Sequence, residues 1–288
     1  MGLIDNDGER MVPETHGGTL TYAEHVTRYL AAAPLVAGRR VLDIASGSGY
    51  GTHLLSQSAA HVTGVDVSAQ AVDYARRTYG TDNNEFHVGN ATSIPLPDDA
   101  VDVVVSFETI EHLDDYAGFV AEVDRVLVDD GLFVLSTPND TDAPQGNPFH
   151  THQFVYDELV ALVQPRFAHV EPYFQAIWNA VLLAPASTLG AEGPFEAGML
   201  NLCPLGPEQY LFFYLLCSRH PVTDTVEPLL ALGEHHSYRL LQQQYLAQAA
   251  ALSHAATVAA DAVNEVKALR RRLTTVPSPG PRGKARRR

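Results

Sequence analysis

Between residues 39 and about 175, short apolar runs alternate with stretches whose apolar positions recur every three or four residues. Val41-Leu42-Asp43-Ile44 predicts a strand ending at a glycine-rich turn, and Gly51 to Ala60 predicts a helix after it. Val62 to Asp66 predicts a second strand, and Ser68 is a suitable cap for a helix carrying Ala71, Val72 and Ala75. Glu85 to Val88 predicts a third strand. The unbroken apolar run Val101 to Phe107 suits a strand covered on both faces. Phe119 to Leu127 has helical spacing, and Leu132 to Ser136 predicts a fifth strand. Strands alternating with helices imply an α/β fold with a parallel sheet and right-handed crossovers.

Further along, Tyr156 to Val163 predicts a helix and His169 to Phe174 a strand, and Leu211 to Cys217 suits a central strand that could run antiparallel. Residues 176–208, which mix Pro, Gly and apolar residues, exceed the usual connection length and read as a lid or substrate-capping insertion. From residue 236 to 273 apolar and small residues alternate by three and four with no Pro or Gly. That is either a long helix packed on the domain or a seam for a second copy or a protein partner. The expected organisation is a helical arm over 1–38, an α/β domain over 39–218, a helical extension over 219–275 and a disordered basic tail over 276–288.

Charge changes the picture only near the end. The 288 residues carry a net charge of −15, but the first 266 hold all 34 acidic residues against 10 basic ones, a net −24. The last 22 carry +9. An acidic body argues against DNA or an anionic surface as its main partner, and the basic tail reads as a docking element. No run approaches 18 apolar residues, so no transmembrane segment is expected. The first ten residues lack the basic-then-apolar order of a secretory signal. Cys203 and Cys217 have no metal-type spacing, and a reducing cytoplasm fits best.

The turn Asp43-Ile44-Ala45-Ser46-Gly47-Ser48-Gly49-Tyr50-Gly51 follows a strand and opens a helix. By itself it could bind a dinucleotide or merely make a tight turn. Three further groups fall at the same carboxyl edge, where open α/β sheets bind ligands: Asp66, Asn90-Ala91 and Ser106-Phe107-Glu108. Together with Leu96-Pro97, Asp102 and Gly131-Leu-Phe-Val-Leu, this series resembles the class I S-adenosylmethionine-dependent methyltransferases. The resemblance implies a Rossmann-like seven-stranded sheet with helices on both faces. It implies S-adenosylmethionine as cofactor, with Gly47 and Gly49 under its methionine part, Asp43 near its amino group, Asp66 on the ribose, Asn90 and Ala91 beside adenine, and Ala45, Val67 and Phe107 completing the set. Many relatives carry Cys or Gly at the positions of Ala45 and Ser46, and Asp at that of Asn90.

Glu108-Thr109-Ile110-Glu111-His112 places two carboxylates and an imidazole three and four residues apart, on one side of a helical turn. Such a group can bind a divalent ion, or a carboxylate can orient His112 as a general base. The segment resembles small-RNA 3′-terminal 2′-O-methyltransferases, in which the cluster binds Mg²⁺ or a similar ion, and quinone-pathway O-methyltransferases. His150 and His152 lie after the fifth strand and add candidate ligands, so the metal candidates are Glu108, Glu111, His112, His150 and His152 and the catalytic candidates are His112, Glu111 and His150. With Gly8-Glu9-Arg10, Glu24-His25, Arg28-Tyr29 and Asn147-Pro148-Phe149-His150, residues 8–170 also resemble bacterial glycan-modifying methyltransferases. This implies an O-methyltransferase acting on a small-molecule or glycan hydroxyl, with a phenol, a quinone or an RNA 3′ end as rival acceptors. A non-catalytic assembly module is the rival from another class. Tyr22 and His25 either close over the cofactor or belong to a helix packed on the sheet.

Overall fold

The computed structural model describes residues 10–17, 19–139, 149–177, 187 and 210–229, all within the unit Met1–Leu232. The expected helix over 236–273, the basic tail and nearly all of the insertion 176–208 lie outside the described residues.

The apolar runs form strands β1 (Arg40–Ile44), β2 (His61–Asp66), β3 (Asn84–Val88), β4 (Val101–Phe107), β5 (Leu127–Pro138), β6 (His169–Gln175) and β7 (Phe212–Ser218). They make one seven-stranded sheet in the order β3-β2-β1-β4-β5-β7-β6. The first five in that order run parallel. β7 lies antiparallel between β5 and β6, with Leu215 opposite Leu135 and Cys217 opposite Phe133.

Strand alternation divides the core. Leu42 and Ile44 face one side, where they pack with Phe119 and Val123 of α5 (Tyr116–Val126) and Leu159 and Val163 of α6 (Tyr156–Val163). Val41, Val103 and Val105 face the other, with Tyr29 and Ala32 of α2 (Leu20–Ala32) and Leu55 of α3 (Tyr50–Ser56). A short helix, α1 (Pro13–His16), precedes α2, and α4 (Ala69–Tyr79) sets Val72 and Ala75 against Phe86 of β3. Ser68 caps α4 by accepting from Ala71 N, as its position predicts.

Several boundaries differ from the sequence expectation. α3 ends at Ser56 rather than Ala60. There Ser58 turns the chain by donating to Ala33 O. α5 begins at Tyr116 because Asp115 accepts from Gly118 N, ahead of the apolar stripe. β5 starts at Leu127 rather than Leu132: Leu127 pairs with Val101, and an irregularity then shifts the register so that Leu132 meets Val103. Asp129 and Asp130 hide that first stretch from an apolar pattern. Residues 219–229, the start of the expected helical extension, contain no helix. Arg219 bonds instead to Asp124 and to the Val128 carbonyl, and Arg39 pairs with Asp224.

Candidate functional site

The carboxyl ends of β1 to β5 share one edge. After β1 the chain turns through three left-handed residues, Ala45 (φ 62°), Gly47 (φ 55°) and Gly49 (φ 87°). At Gly49 a Cβ would also stand 2.5 Å from the Ala75 Cβ and 2.9 Å from the Phe86 ring, so this position excludes side chains twice over. Asp66 ties the turn to β2: Gly47 N donates to its Oδ2 at 2.8 Å and Ser68 N to its Oδ1 at 2.8 Å. A carboxylate has about four lone-pair directions, so both oxygens keep capacity for further donors such as ribose hydroxyls.

Asp43 is buried under the turn. Thr52 Oγ1 donates to it at 2.6 Å and the Tyr29 hydroxyl at 3.4 Å. Burial outweighs these bonds and pushes its pKa up to about 7. Val67, next to Asp66, is 73% exposed, unusual for an apolar side chain in the fold. Ala91 is buried, and Asn90 spends its Oδ1 on an Asx turn, accepting from Thr92 N and Oγ1. Phe107 is buried edge-on to Tyr29, with ring centroids 5.0 Å apart.

The amino-terminal arm forms the helix packed on the sheet, one of the two alternatives expected of it. α2 packs on the sheet through Tyr29 and Ala32. The Tyr50 hydroxyl and His25 Nδ1 lie 3.2 Å apart. Burial, with the Arg28 charge, holds the His25 pKa down at about 3, so the ring is neutral. The Ser48 hydroxyl donates to Met11 O, fastening the arm to the glycine turn.

Beyond β4 the geometry is strained. Glu108 has a φ of 55° without being glycine. Its N donates to Ser136 O, its Oε1 accepts from Ser136 Oγ at 2.9 Å, and the same oxygen lies 3.6 Å from the Arg28 guanidinium. Glu111 and His112 follow on a single 3₁₀ turn, Ile110–His112, so Glu108 sits before the turn rather than on its face. Glu111 is 1% exposed. Its Oε2 accepts from Thr137 Oγ1 at 2.9 Å, while its Oε1 is buried with no hydrogen-bond partner. Burial pushes its pKa well above the usual carboxylate range, and the Glu108 charge adds to this.

Glu111 O accepts from Thr151 N and His152 N, which holds the loop after β5 against the 3₁₀ turn. His112 Nδ1 lies 3.0 Å from Phe149 O and its Nε2 3.9 Å from Glu111 Oε1. The His112 and His150 rings stand edge to face, 4.9 Å between centroids. The structure thus brings together Glu111, His112 and His150, whose ligating atoms lie within 4.8 Å of one another. It does not bring in the other two metal candidates. Glu108 turns to Arg28 and Ser136, and His152 pairs with Glu158 at 2.8 Å and packs on Tyr116 and Phe154. The donor set and the orphaned Oε1 fit a divalent ion held by Glu111, His112 and His150.

Sequence reasoning gave no role to Arg28 or Thr137. Arg28 is 2% exposed, bonds through Nε to Gln175 Oε1 at 2.8 Å and lies over the Phe212 ring. Its signal was an arginine beside Tyr29 on the buried face of an amphipathic helix. Thr137 stood out only as part of the stretch Ser136-Thr137-Pro138-Asn139 at the end of an apolar strand, with nothing to pair it with Glu111.

Residues 42–135 match a family described as a methyltransferase domain. A Mycolicibacterium smegmatis protein named "Probable S-adenosylmethionine-dependent methyltransferase" is 38% identical over 169 residues, which are 57% of this chain and 65% of that protein. A Mycobacterium tuberculosis protein named "Probable S-adenosylmethionine-dependent methyltransferase Rv3030" is 40% identical over 161 residues, 54% of this chain and 58% of that protein. The chain therefore spans about three fifths of the length of these relatives. A Haloferax volcanii methyltransferase, solved with the Trm112 methyltransferase activator, superposes with a TM-score of 0.51 at 22% identity, covering 70% of this chain and 90% of that one. A Thermotoga maritima S-adenosylmethionine-dependent methyltransferase gives 0.50 at 18% identity, covering 69% and 92%. With the strand order and the partners of Asp43 and Asp66, these findings identify residues 42–135 as a methyltransferase domain in the class I S-adenosylmethionine-dependent fold.

Proposed function

We propose that this chain transfers the methyl group of S-adenosylmethionine to a hydroxyl oxygen, that of a sugar in a glycan, glycolipid or glycosylated natural product. The observation that carries the reading is the Glu111–His112–His150 cluster at the edge that the glycine turn and Asp66 also reach. Asp43, Gly47, Gly49, Asp66, Val67 and Ala91 receive the cofactor, with exposed Val67 available to cover adenine. The acceptor oxygen attacks the sulfonium methyl carbon, the S–C bond breaks as the O–C bond forms, and sulfur keeps the electron pair. The hydroxyl proton leaves in the same step, and the cluster removes it from the acceptor. The sulfonium is already activated, so holding the two reactants in line supplies much of the remaining rate. A divalent ion held by the cluster would supply Lewis acidity toward the acceptor oxygen.

One comparison favours a second acceptor class. A Clavibacter sepedonicus demethylmenaquinone methyltransferase is 39% identical over 113 residues, though these cover 45% of it. Labelled-methyl transfer to a panel of sugars, quinols and RNA 3′ ends separates these acceptors. A sugar product supports the primary reading, a quinol product replaces it with the second, and absence of cofactor binding by calorimetry overturns both. In this reading the protein works in the cytoplasm, and the segment 236–273 with its basic tail docks a second copy or an acidic protein. Support comes from the charge split in the sequence and from the Haloferax volcanii methyltransferase, itself solved with a protein activator.

A further inference from the structure

The Glu111 carboxyl and the His112 ring face each other just beyond β4 with no hydrogen bond between them. The Phe149 carbonyl can only accept, so His112 Nδ1 carries the hydrogen of their 3.0 Å bond and Nε2 keeps its lone pair. Opposite it, Glu111 Oε1 is buried without a hydrogen-bond partner. Their separation of 3.9 Å is too long for a hydrogen bond. Two metal bonds of about 2.0–2.2 Å can bridge it, at an angle wider than tetrahedral. His150 completes a set in which all three ligating atoms lie within 4.8 Å.

We infer that Glu111, His112 and His150 form a binding site for a divalent first-row transition ion, with Glu108 and His152 outside it. The surroundings are those of a metal site. Thr137 Oγ1 orients the carboxylate through Oε2 and the Phe149 carbonyl fixes the His112 tautomer. Thr151 N and His152 N hold the His150 loop against the 3₁₀ turn through Glu111 O. Two imidazoles and one carboxylate suit ions such as Mn²⁺ or Zn²⁺ better than Mg²⁺, which prefers oxygen donors. Three protein ligands leave positions open, as catalytic sites do. The consequence for catalysis rests on the methyl-transfer reading: an ion held by these three residues would make the acceptor hydroxyl more acidic, with its proton released to solvent in place of removal by the cluster itself.

The test uses the full chain, stripped with chelator and titrated separately with Mn²⁺, Zn²⁺ and Mg²⁺ by calorimetry, with bound metal counted by mass spectrometry. One ion per chain is expected, with Mn²⁺ or Zn²⁺ binding at least tenfold more tightly than Mg²⁺. Glu111→Gln, His112→Ala and His150→Ala should each weaken binding at least tenfold, and His152→Ala should leave it within twofold. Circular dichroism verifies folding; should Glu111→Gln fail to fold, the two histidine variants decide alone. Absence of stoichiometric binding overturns the site, as does unchanged binding in the histidine variants or equal loss in His152→Ala. Methyl transfer that persists in strong chelator by a metal-free chain overturns the ion's part in catalysis and leaves the transfer reading standing. Metal binding with the expected variant pattern, but no transfer to any acceptor, supports the site and overturns that reading.

Discussion

The two halves of the carboxyl edge are built differently. At the glycine turn both carboxylates are engaged: Asp66 by Gly47 N and Ser68 N, Asp43 by Thr52 and Tyr29. Backbone conformation makes this half, and the side chains confirm it in place. At the ends of β4 and β5 the polar groups are only partly engaged. Glu111 Oε1 and the Tyr214 hydroxyl are buried without hydrogen bonds, as are both terminal nitrogens of Arg28, one of which faces Glu108 at 3.6 Å. A buried polar atom left without a partner costs about 1–3 kcal/mol. Several in one place are tolerated where a ligand satisfies them. The first half is a preformed cradle in which Ser46 Oγ alone of the turn's side-chain atoms is buried without a partner, and the second is completed by what binds it.

If the cradle is preformed, disturbing its backbone should do the greatest damage. Gly49→Val combines a left-handed φ with overlap onto Ala75 and Phe86. It should abolish cofactor binding by calorimetry and lower stability by at least ~1–3 kcal/mol in denaturant titrations. Tight binding by this variant would break the comparison. Thr137→Val removes the side-chain donor to the Glu111 carboxyl and should cost about 1–3 kcal/mol, read from the same unfolding curves, with methyl transfer reduced and cofactor affinity kept.

Asp43 sharpens the comparison through pH. Its pKa is about 7 in the folded chain against an ordinary 3.8, so its proton stays on where the unfolded chain has lost it. Its contribution to stability therefore falls as pH rises from about 4 to 7. Cofactor binding has the opposite sign, because an ammonium group favours the carboxylate. Affinity for S-adenosylmethionine should weaken by up to about tenfold per pH unit below 7, and Asp43→Asn should flatten that slope. The smallest effect is expected at His152, an exposed pair with Glu158: His152→Ala should change stability by no more than about 1 kcal/mol.

Most of the sheet and the glycine turn were legible in the sequence because both depend on local features. An apolar run makes a strand wherever it sits, and a left-handed turn announces itself by glycine. The group beyond β4 was legible in residue type only. Glu108, Glu111 and His112 share a helical spacing, yet the chain makes a 3₁₀ turn there and a positive φ swings Glu108 toward Arg28. Nothing local distinguishes His150 from His152; what separates them is Glu158 and Tyr116, which hold the second away from the cluster.

By itself the sequence determined the alternation of strands and helices, the glycine-lined turn, the acidic residue ending β2 and the group of carboxylates and imidazoles beyond β4. These follow from periodicity, steric limits on φ and side-chain chemistry, which act over a few residues. Only the tertiary structure decided the antiparallel setting of β7, since an apolar run reads the same in either direction. It alone brought Arg28 from the arm to Glu108, Thr137 from β5 to Glu111, and His150 rather than His152 to His112. Those pairings join residues far apart in the chain, and they exist because the packed sheet places the ends of β4 and β5 side by side.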